Sequence, residues 1–304
     1  MKYYLAIDLG GTNVRVAVVS PQGDVVEEIK RPSRASEGPT IVLDNIIDMA
    51  QSLKLLSDCL AIGMGLPGPV DTKKGCITLS TNLNGFTGFP VAAYLKERLN
   101  LPVYMDNDAN VAGLAEAVFG AGKGNDVVYY LTHSTGIGGA LVVNGKVVSG
   151  RKGYAGEIGN IIIDRDRASY AHINNLKVGA VENEASGSAM VRKAKQELDD
   201  SIVSAGEIFK LAEEGNDKAQ HLLDEMTLDM GMLLQAIAHV CDPDIFVMGG
   251  GVTKSKDKYW PQMIAHYSDL VHDDMRDTPF VQAELAEPGI IGAAALCMAM
   301  EKGN

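Results

Sequence analysis

The chain has 304 residues, of which 46% are hydrophobic and 22% are charged, values typical of soluble globular domains and unlike those of disordered or fibrous proteins. Its 27 lysines and arginines against 39 aspartates and glutamates give a net charge of −12, which repels nucleic-acid backbones and anionic lipid surfaces. The composition therefore argues against both as partners. It does not argue against a small anion that is held by backbone amides and a cation.

Cysteine spacing and apolar runs give no sign of export or of a membrane segment. The four cysteines form no C-x-x-C pair, which argues against a disulfide framework and a thiolate zinc site, and the six histidines show no metal-ligand spacing. Residues 3–7 form a short apolar run with no cleavage site after it, and the stretch 290–300 is shorter than the roughly 18 to 20 residues of a bilayer span. We therefore expect a cytoplasmic protein.

The first predicted strand runs through a glycine turn at residues 8–13 into a second strand. The paired glycines Gly10 and Gly11 allow backbone amides to approach a phosphate, and Thr12 adds a hydroxyl donor. Asp8 would then face the region of the metal and the phosphates. A plain type I′ hairpin turn accounts for the same residues, so this turn alone does not decide between the two interpretations.

A later strand and turn, at residues 59–68, contain the pattern G-x-G-x-x-G of dinucleotide-binding dehydrogenases. Pro67 and Pro69 prevent a helix from beginning at the last glycine, and no acidic residue stands about 20 positions onward to hold a ribose. A Walker A motif is also absent, because Gly124 follows Lys123 where serine or threonine is required. The sequence therefore argues against a dehydrogenase and against a Walker A nucleotide site.

Residues 101–116 are predicted to form a strand, a turn and a helix from Ala109. Asp108 stands at the helix start, where it fits an N-cap worth ~0.5–2 kcal/mol. The same position fits a general base, because the helix dipole keeps the carboxylate ionised and ready to accept a proton from a hydroxyl that attacks a phosphoryl group. Asp106 competes for that role, since the spacing alone does not choose between them.

The first strand and turn recur in the second half of the chain. Residues 3–10 are echoed by residues 129–136, and both segments continue into a second strand and a turn. Ser134, Thr135 and the glycines after them repeat the hydroxyl-and-glycine turn, and two such turns favour a phosphate clamp over two plain hairpins. Strands alternate with helices in both halves, which predicts an α/β protein of two related lobes.

The lobes are predicted to divide in the glycine-rich run at residues 120–125, which suits a hinge. The predicted lobes are residues 1–120 and 121–289, and a C-terminal helix at about 290–302 is expected to pack back on the first lobe. The second lobe holds further predicted helices at 186–198, at 204–214 with Ser204 and Glu207 as a capping box, and at 217–240.

Three successive glycines, Gly249, Gly250 and Gly251, follow an apolar strand at residues 242–248. Ligands of α/β sheets bind beyond the carboxyl ends of the strands, where these glycines fall. They remove every side chain at a place where a flat ring could lie on backbone, which fits an adenosine site. The alternative is a flexible connection between a strand and a helix.

Together these residues resemble the ROK family of sugar kinases and repressors, and the resemblance covers essentially the whole chain. It implies an actin-like ATPase (ribonuclease H-like) fold, in which two α/β lobes close over a deep interdomain cleft. The residues that carry it are 8–15, 65–71, 82–83, 107–110, 134–139, 156–159, Glu182 with 185–187, and 249–251.

The resemblance also implies roles for single residues. Asp108 would deprotonate a sugar hydroxyl, usually the one on C6, and ATP with Mg²⁺ near Asp8 would supply the phosphoryl group. The residues implied to bind sugar are Gly65, Pro67, Asn82, Asn107, Asp108, Glu157, Asn160 and Glu182. The residues implied to bind the nucleotide are Asp8, Gly10, Gly11, Thr12, Asn13, Thr135, Gly136, Gly249, Gly250 and Gly251.

One position departs from the family pattern. Many members follow Glu-Ile-Gly with a histidine and then a cysteine cluster that holds a structural zinc, whereas this chain has Asn160 and no cysteine between Asn160 and Glu182. We therefore expect no structural zinc, and the loss of the histidine alters a position that contacts sugar. Glucose, another hexose, an N-acetylhexosamine such as N-acetylmannosamine and a β-glucoside all stay open as substrates.

Two other classes of function compete with a kinase. Repressors of the family sense sugars without turnover, but they carry an N-terminal helix-turn-helix, whereas this chain begins with the first strand and is acidic. A non-sugar ATPase of the actin-like class does not explain the polar residues Asn107, Glu157 and Glu182. We therefore predict a sugar kinase, and we expect a homodimer because relatives are commonly dimers.

Overall fold

The computed structural model describes residues 2–164 and 176–301, and strands and helices alternate along it. The strands are β1 (Tyr3–Leu9), β2 (Asn13–Val19), β3 (Val25–Pro32), β4 (Cys59–Leu66), β5 (Val70–Asp71), β6 (Cys76–Ile77), β7 (Val103–Asn107), β8 (Val127–His133), β9 (Ile137–Val143), β10 (Lys146–Val147), β11 (Ile245–Gly249) and β12 (Phe280–Gln282). The helices are α1 (Pro39–Gln51), α2 (Val91–Leu99), α3 (Asp108–Val118), α4 (Val181–Ala185), α5 (Gly187–Glu197), α6 (Ala205–Glu213), α7 (Asp217–Cys241), α8 (Lys256–Leu270) and α9 (Pro288–Glu301).

The first sheet has the strand order β3–β2–β1–β4–β7. Strands β1, β4 and β7 are parallel, and Asp8, Gly65 and Asp106 lie opposite one another across them. Because parallel strands end at the same edge of a sheet, the polar residues that follow these strands gather at one edge. The sequence predicted a hairpin turn after β2 but gave no bounds for β3, because most of the residues of β3 are exposed and charged residues interrupt its apolar ones.

Helices cover both faces of the first sheet. Leu5 and Ile7 of β1 pack with α1 and α2 on one face, and Tyr4 and Ala6 pack with α3 and α9 on the other. Successive side chains of a strand point to opposite faces, so a strand covered on both sides reads as a continuous apolar run. This is why residues 3–7 are uniformly apolar.

The described residues divide by their contacts into two compact units. The first unit holds residues 2–130, 140–156 and 283–301, and the second holds residues 131–139 with the described part of 157–282. This division differs from the predicted lobe boundary at residue 120. The run 120–125 folds back on the end of α3, where Ala121 N donates to the Glu116 carboxylate at 3.0 Å.

Helix α9 belongs to the first unit and lies close to its sheet. A Cβ at Gly63 of β4 would overlap the Ala293 carbonyl, and a Cβ at Gly292 would overlap the Val111 carbonyl of α3. The glycine and alanine content of α9 therefore allows close backbone approach. In residues 2–164 and 176–301, no helix is long and apolar enough to cross a membrane.

The second sheet has the strand order β10–β9–β8–β11–β12, with β11 and β12 parallel. In the second unit, α7 packs against α6 and α8, and a Cβ at Gly231 of α7 would lie 2.7 Å from His266 Cβ of α8. At the end of β8 the His133 ring is fully buried, with Nε2 2.8 Å from Ala185 O. Burial lowers the pKa of His133 to about 4, so the neutral ring donates to this carbonyl at pH 7.

The helices predicted in the second half are present at the predicted positions. Helix α5 follows the N-cap Ser186, and α6 follows the N-cap Ser204, whose Oγ accepts from Glu207 N at 3.4 Å. The Glu207 carboxylate accepts from Ser204 Oγ and from Val203 N. The reciprocal bond thus reaches one residue further back than the predicted capping box.

Candidate active site

The turn between β1 and β2 presents hydrogen-bond donors that have no acceptor. Ser33 Oγ donates to Gly11 O at 2.8 Å, Ser33 N donates to Thr12 O at 2.9 Å, and Gly10 N donates to Asn13 O at 2.9 Å. In the described part of the chain, nothing accepts from the Gly11 and Thr12 amides or from the Thr12 hydroxyl, and both residues are exposed. Donors left open in this way suit an anionic phosphate.

Asp8 lies half-buried beside this turn, near the end of β1. Burial raises the pKa of its carboxyl group, the Arg15 guanidinium opposes that rise, and Glu28 adds to it. Arg15 is itself ion-paired with Glu28, at 2.6 Å, and with Glu287. A Cβ at Gly289, in the first turn of α9, would lie 2.7 Å from Asp8 Oδ2. Any larger residue at position 289 would therefore clash with the Asp8 carboxylate.

Helix α3 begins at the carboxyl end of β7, and its N-cap is Asn107. Asn107 Oδ1 accepts from Ala109 N at 2.8 Å and from Asn110 N at 3.4 Å, while Nδ2 donates to Gly68 O at 3.1 Å. The interpretation of Asp108 as the N-cap is therefore wrong, because the preceding amide already satisfies the first turn of the helix. Asp108 is the first helical residue, and its carboxylate is not needed as the cap.

Two carboxylates at this edge of the sheet differ in accessibility. Asp106 is 2% exposed, and its carboxylate accepts from Asn107 N at 2.7 Å, from Asn110 Nδ2 at 2.8 Å and from Ser149 Oγ at 2.5 Å. The side chain of Asp108 is exposed. A substrate hydroxyl can reach Asp108, whereas Asp106 is enclosed and fully hydrogen-bonded.

The pKa of Asp108 is raised to about 6, although its side chain is open to solvent on one side. The largest cause is desolvation by the protein that surrounds the carboxyl group elsewhere; the hydrogen bond from Ala109 N lowers the pKa, and the Asp8 carboxylate raises it. Asp8 and Asp108 therefore lie within electrostatic reach of each other. A carboxylate with this pKa is ionised at pH 7 and still accepts a proton readily.

Three further residues predicted to bind sugar lie in the first unit. Gly65 is in β4, opposite both Asp8 and Asp106, and Pro67 is in the bend that follows this strand. Asn82 is exposed in the loop after β6, and its backbone and Cβ approach the position of a Gly11 Cβ within 4.0 Å. The loop thus adjoins the first glycine turn, and the two line one side of a cavity of about 690 Å³.

The second glycine turn, between β8 and β9, is built like the first. Ser134 N donates to Gly136 O at 2.9 Å, and the first amides of α5 donate into the turn, Gly187 N to Ser134 O at 2.8 Å and Ser188 N to Thr135 O at 3.2 Å. Among the residues with described positions, none accepts from the Thr135 and Gly136 amides. Both glycine turns therefore have engaged carbonyls and open amides.

A cavity of about 950 Å³ adjoins the second turn. Of the three predicted glycines, Gly251 lines this cavity, while Gly249 is buried in β11. Gly250 has φ +96°, and a Cβ there would overlap the His133 backbone, so its role is conformational. The cavity is also lined by the apolar residues Val191, Val203, Phe209 and Val252 and by the cations Arg192, Lys195 and Lys254.

The sugar-binding residues predicted in the second unit surround the same turn. Glu157 precedes a short 3₁₀ turn that ends at Asn160, whose N donates to Glu157 O at 3.2 Å and whose side chain is exposed. Glu182, on α4, accepts from Ile137 N at 2.8 Å. A Cβ at Gly159 would lie 3.0 Å from Glu182 Oε2, so this segment and α4 are in contact.

Comparison with known proteins decides the family, because a model of the ROK family matches residues 4–300. The chain belongs to the ROK family. A glucokinase of Halalkalibacterium halodurans is 30% identical over 100% of this chain and 98% of its own length. The ROK hexokinase from Thermus thermophilus has a TM-score of 0.88 and 31% identity, covering 99% of this chain and 100% of its own.

A ROK family glucokinase from Streptomyces griseus, solved with glucose and AMPPNP, has a TM-score of 0.76 and 27% identity, covering 97% of this chain and 98% of its own. The predicted family and the actin-like ATPase fold of ROK kinases are thereby confirmed. Other matched proteins bear different names: β-glucoside kinases of Listeria are 28% identical, and a ROK family transcriptional regulator shares the fold at 21% identity.

Two residues of this ROK protein that shape the site were not found from the sequence. Ser33 holds the carbonyls of the first turn, and Ser149 donates a hydrogen bond to Asp106. Each serine contacts a residue that is distant in sequence, and a single serine in a loop carries no pattern of its own. The sequence could not signal them.

Residues 2–164 and 176–301 contain no group of three His, Cys, Asp or Glu side chains that could hold a metal ion. Part of the segment between Asn160 and Glu182, where the family's cysteine cluster falls, lies outside the described residues. The expectation that the protein holds no structural zinc stays a prediction.

Proposed function

We propose that this sugar kinase transfers the terminal phosphoryl group of ATP to a hydroxyl of a hexose, the one on C6, with Asp108 as the general base. The observation that carries the proposal is the state of Asp108: an accessible carboxylate with a pKa raised to about 6, at the sheet edge that also holds Asp8 and adjoins the first glycine turn. Asp106 is closed to substrate by its three hydrogen bonds.

In the proposed reaction, Asp108 accepts the proton of the sugar hydroxyl as its oxygen attacks the terminal phosphorus. At pH 7 a group with a pKa of about 6 is mostly ionised and needs no activation by another base. The neighbouring Asp8 carboxylate disfavours a second negative charge and so increases the basicity of Asp108. Positioning and electrostatic stabilisation supply most of the rate in phosphoryl transfer, so the base contributes about 10²–10⁴-fold.

Each glycine turn by itself offers open amides that suit the phosphates of ATP: those of Gly11 and Thr12 in the first unit, and those of Thr135 and Gly136 in the second. Gly10 and Asn13 close the first turn by their backbone hydrogen bond. The cavity that Gly251 lines is large enough for the adenosine and offers apolar walls to a purine.

Mg²⁺ would bind together with ATP, and the Asp8 carboxylate is suited to bind it. Magnesium in such enzymes is held by one or two carboxylates together with substrate phosphates and water, so a single half-buried carboxylate beside a phosphate turn fits the ion. Its charge would neutralise part of the negative charge of the phosphates. The Arg15 guanidinium opposes the rise in the Asp8 pKa that burial causes.

The proposed sugar contacts are Gly65, Pro67, Asn82, Asn107, Glu157, Asn160 and Glu182. Asn107 brings a restriction, because its Oδ1 caps α3 and its Nδ2 donates to Gly68 O. It can therefore offer a sugar only the second Nδ2 hydrogen, as a donor to a hydroxyl oxygen. The cytoplasmic location and the homodimer stay predictions.

The experiment is a panel of sugars assayed for ATP consumption: glucose, mannose, N-acetylmannosamine and a β-glucoside. We expect ATP to be consumed with one of these hexose-type substrates and the product to carry phosphate on the C6 oxygen, as read by ³¹P–¹H NMR. A protein that binds these sugars without consuming ATP is instead a sugar sensor, a class that shares this fold. Such a result would refute the kinase proposal.

A further inference from the structure

Glu182 makes a contact that a sugar-binding side chain does not require. Its Oε2 accepts a hydrogen bond from Ile137 N at 2.8 Å, and Ile137 is the residue directly after the second glycine turn. A Cβ at Gly136 would lie 2.6 Å from the same oxygen, so the turn passes directly over the carboxylate. Glu182 thus touches the segment that is proposed to bind the phosphates of ATP.

The turn is held from α4 and α5 together. Gly187 N and Ser188 N, at the start of α5, donate to the carbonyls of Ser134 and Thr135. Those bonds fix the first half of the turn, and the Glu182 carboxylate fixes its second half through Ile137 N. Without Glu182 the amide of Ile137 would lose its acceptor. The open amides of Thr135 and Gly136 would then no longer be fixed from the Ile137 end of the turn.

The second carboxylate oxygen stays open. In the described part of the chain no residue donates to Glu182 Oε1, and the residue is only partly buried. A carboxylate has two oxygens that can accept from different partners at once, so Oε2 can hold the turn while Oε1 accepts from a sugar hydroxyl. The arrangement lets one side chain serve both substrates.

We infer that Glu182 is a positioning residue for the donor phosphates: by holding Ile137 N it fixes the second glycine turn in the shape that binds ATP, apart from any contact with sugar. The inference rests on the proposed function, because it assumes that the turn binds phosphate. It assigns Glu182 an effect on nucleotide affinity that is measurable with no sugar present.

Simple electrostatics predicts the opposite effect. A carboxylate near phosphate groups repels them, so its removal should strengthen nucleotide binding if charge were its only influence. If Glu182 positions the turn, its removal weakens binding even though a negative charge is lost. The sign of the change therefore distinguishes positioning from repulsion.

The test measures the Kd of Mg²⁺-AMPPNP by calorimetry, without sugar, for the wild-type chain and for Glu182→Ala, Glu182→Asp and Glu182→Gln. Alanine removes the acceptor and aspartate withdraws it by one methylene, so both should weaken binding about five- to tenfold, the scale of one lost charge-assisted hydrogen bond. Glutamine keeps an acceptor for Ile137 N and should bind within threefold of wild type. Glu214→Ala, which removes an exposed carboxylate at the end of α6, is the control and should leave this Kd unchanged.

Weakening in the Ala and Asp variants with recovery in the Gln variant supports the inference, and any other order among these three overturns it. Circular dichroism verifies that each variant is folded, and if Ala does not fold, the Asp and Gln pair decides in the same way. A wild-type chain that binds no Mg²⁺-AMPPNP would overturn the proposed function and the inference together. A wild-type chain that binds it as tightly as the Ala and Asp variants do would overturn the inference alone.

Discussion

Asp108 combines two properties that seldom occur in one carboxylate, accessibility to a substrate and a strongly raised pKa. Desolvation by the surrounding protein is the larger cause of the raised pKa, and the nearby Asp8 adds to it. A fully exposed aspartate would be a weak base, whereas a fully enclosed one such as Asp106 could not meet a substrate. The position of Asp108 at the start of α3 satisfies both conditions.

The first prediction concerns the pH dependence of kcat. Asp108 must be ionised to accept a proton, so kcat should be constant above pH 7 and should fall about tenfold per pH unit below about 6. The measurement is the initial rate from pH 5 to 8 with saturating ATP and sugar, with circular dichroism to verify folding at each pH. A rate that stays level from pH 7 down to pH 5 would contradict this assignment.

The second prediction concerns stability. The pKa of Asp108 rises from 3.8 in the unfolded chain to about 6 in the folded protein, so the native state binds the proton more tightly. The stability that the group contributes is present below pH 4 and is lost as the pH rises through about 6. At pH 7.5, Asp108→Asn should therefore be more stable than wild type, by roughly 1 kcal/mol after discounting for the solvent on its open side.

Thermal unfolding at pH 7.5 and at pH 4.5 measures this effect. The Tm advantage of Asp108→Asn should be present at pH 7.5 and should shrink at pH 4.5, where the wild-type carboxyl group is protonated. A variant that is less stable than wild type at pH 7.5 would indicate that the Asp108 carboxylate has a structural role.

At the scale of the element, helix α3 owes its start to Asn107. This residue ends β7, caps α3 and also reaches back to Gly68, which has φ +89° in the bend after β4. One side chain therefore joins two neighbouring strand ends and the helix that carries Asp108. The cap leaves the Asp108 carboxylate available for chemistry.

The third prediction follows from this cap. Asn107→Ala removes both acceptor contacts and the bond to Gly68 O, and it should lower the free energy of unfolding by about 0.5–2 kcal/mol. Asn107→Ser is the matched control, because serine caps helices well and should recover most of the loss. Urea unfolding of the three chains measures the difference, and equal stability of the Ala and Ser variants would contradict the role of the cap.

At the scale of the whole molecule, the sequence was sufficient for the fold class and for most elements. The repeat of residues 3–10 in 129–136 predicted two related sheets, and the apolar runs placed β4, β7 and β11 within three residues of their ends. Such features depend on local periodicity. The division into units was harder to predict from the sequence, because the run 120–125 has a hinge-like composition but packs on α3.

The details of the site could be predicted only in part, because they depend on partners that are distant in sequence. Spacing alone left Asp106 and Asp108 equivalent, and the difference arises from Ser149, which reaches Asp106 from another segment. In the same way, the run of three glycines indicated a ligand site, but only Gly251 lines the cavity. Sequence patterns identify residue types at the correct strand ends, whereas burial and hydrogen bonding decide which side chain is left open.

Whether Asp108 is the general base is decided by the kcat of Asp108→Asn, measured beside its Kd for Mg²⁺-AMPPNP. If Asp108 is the general base, kcat should fall about 10²–10⁴-fold while the nucleotide Kd changes by less than about threefold, because asparagine keeps the shape and loses only the basic group. An Asp108→Asn variant with wild-type kcat would contradict the assignment of Asp108 as the base.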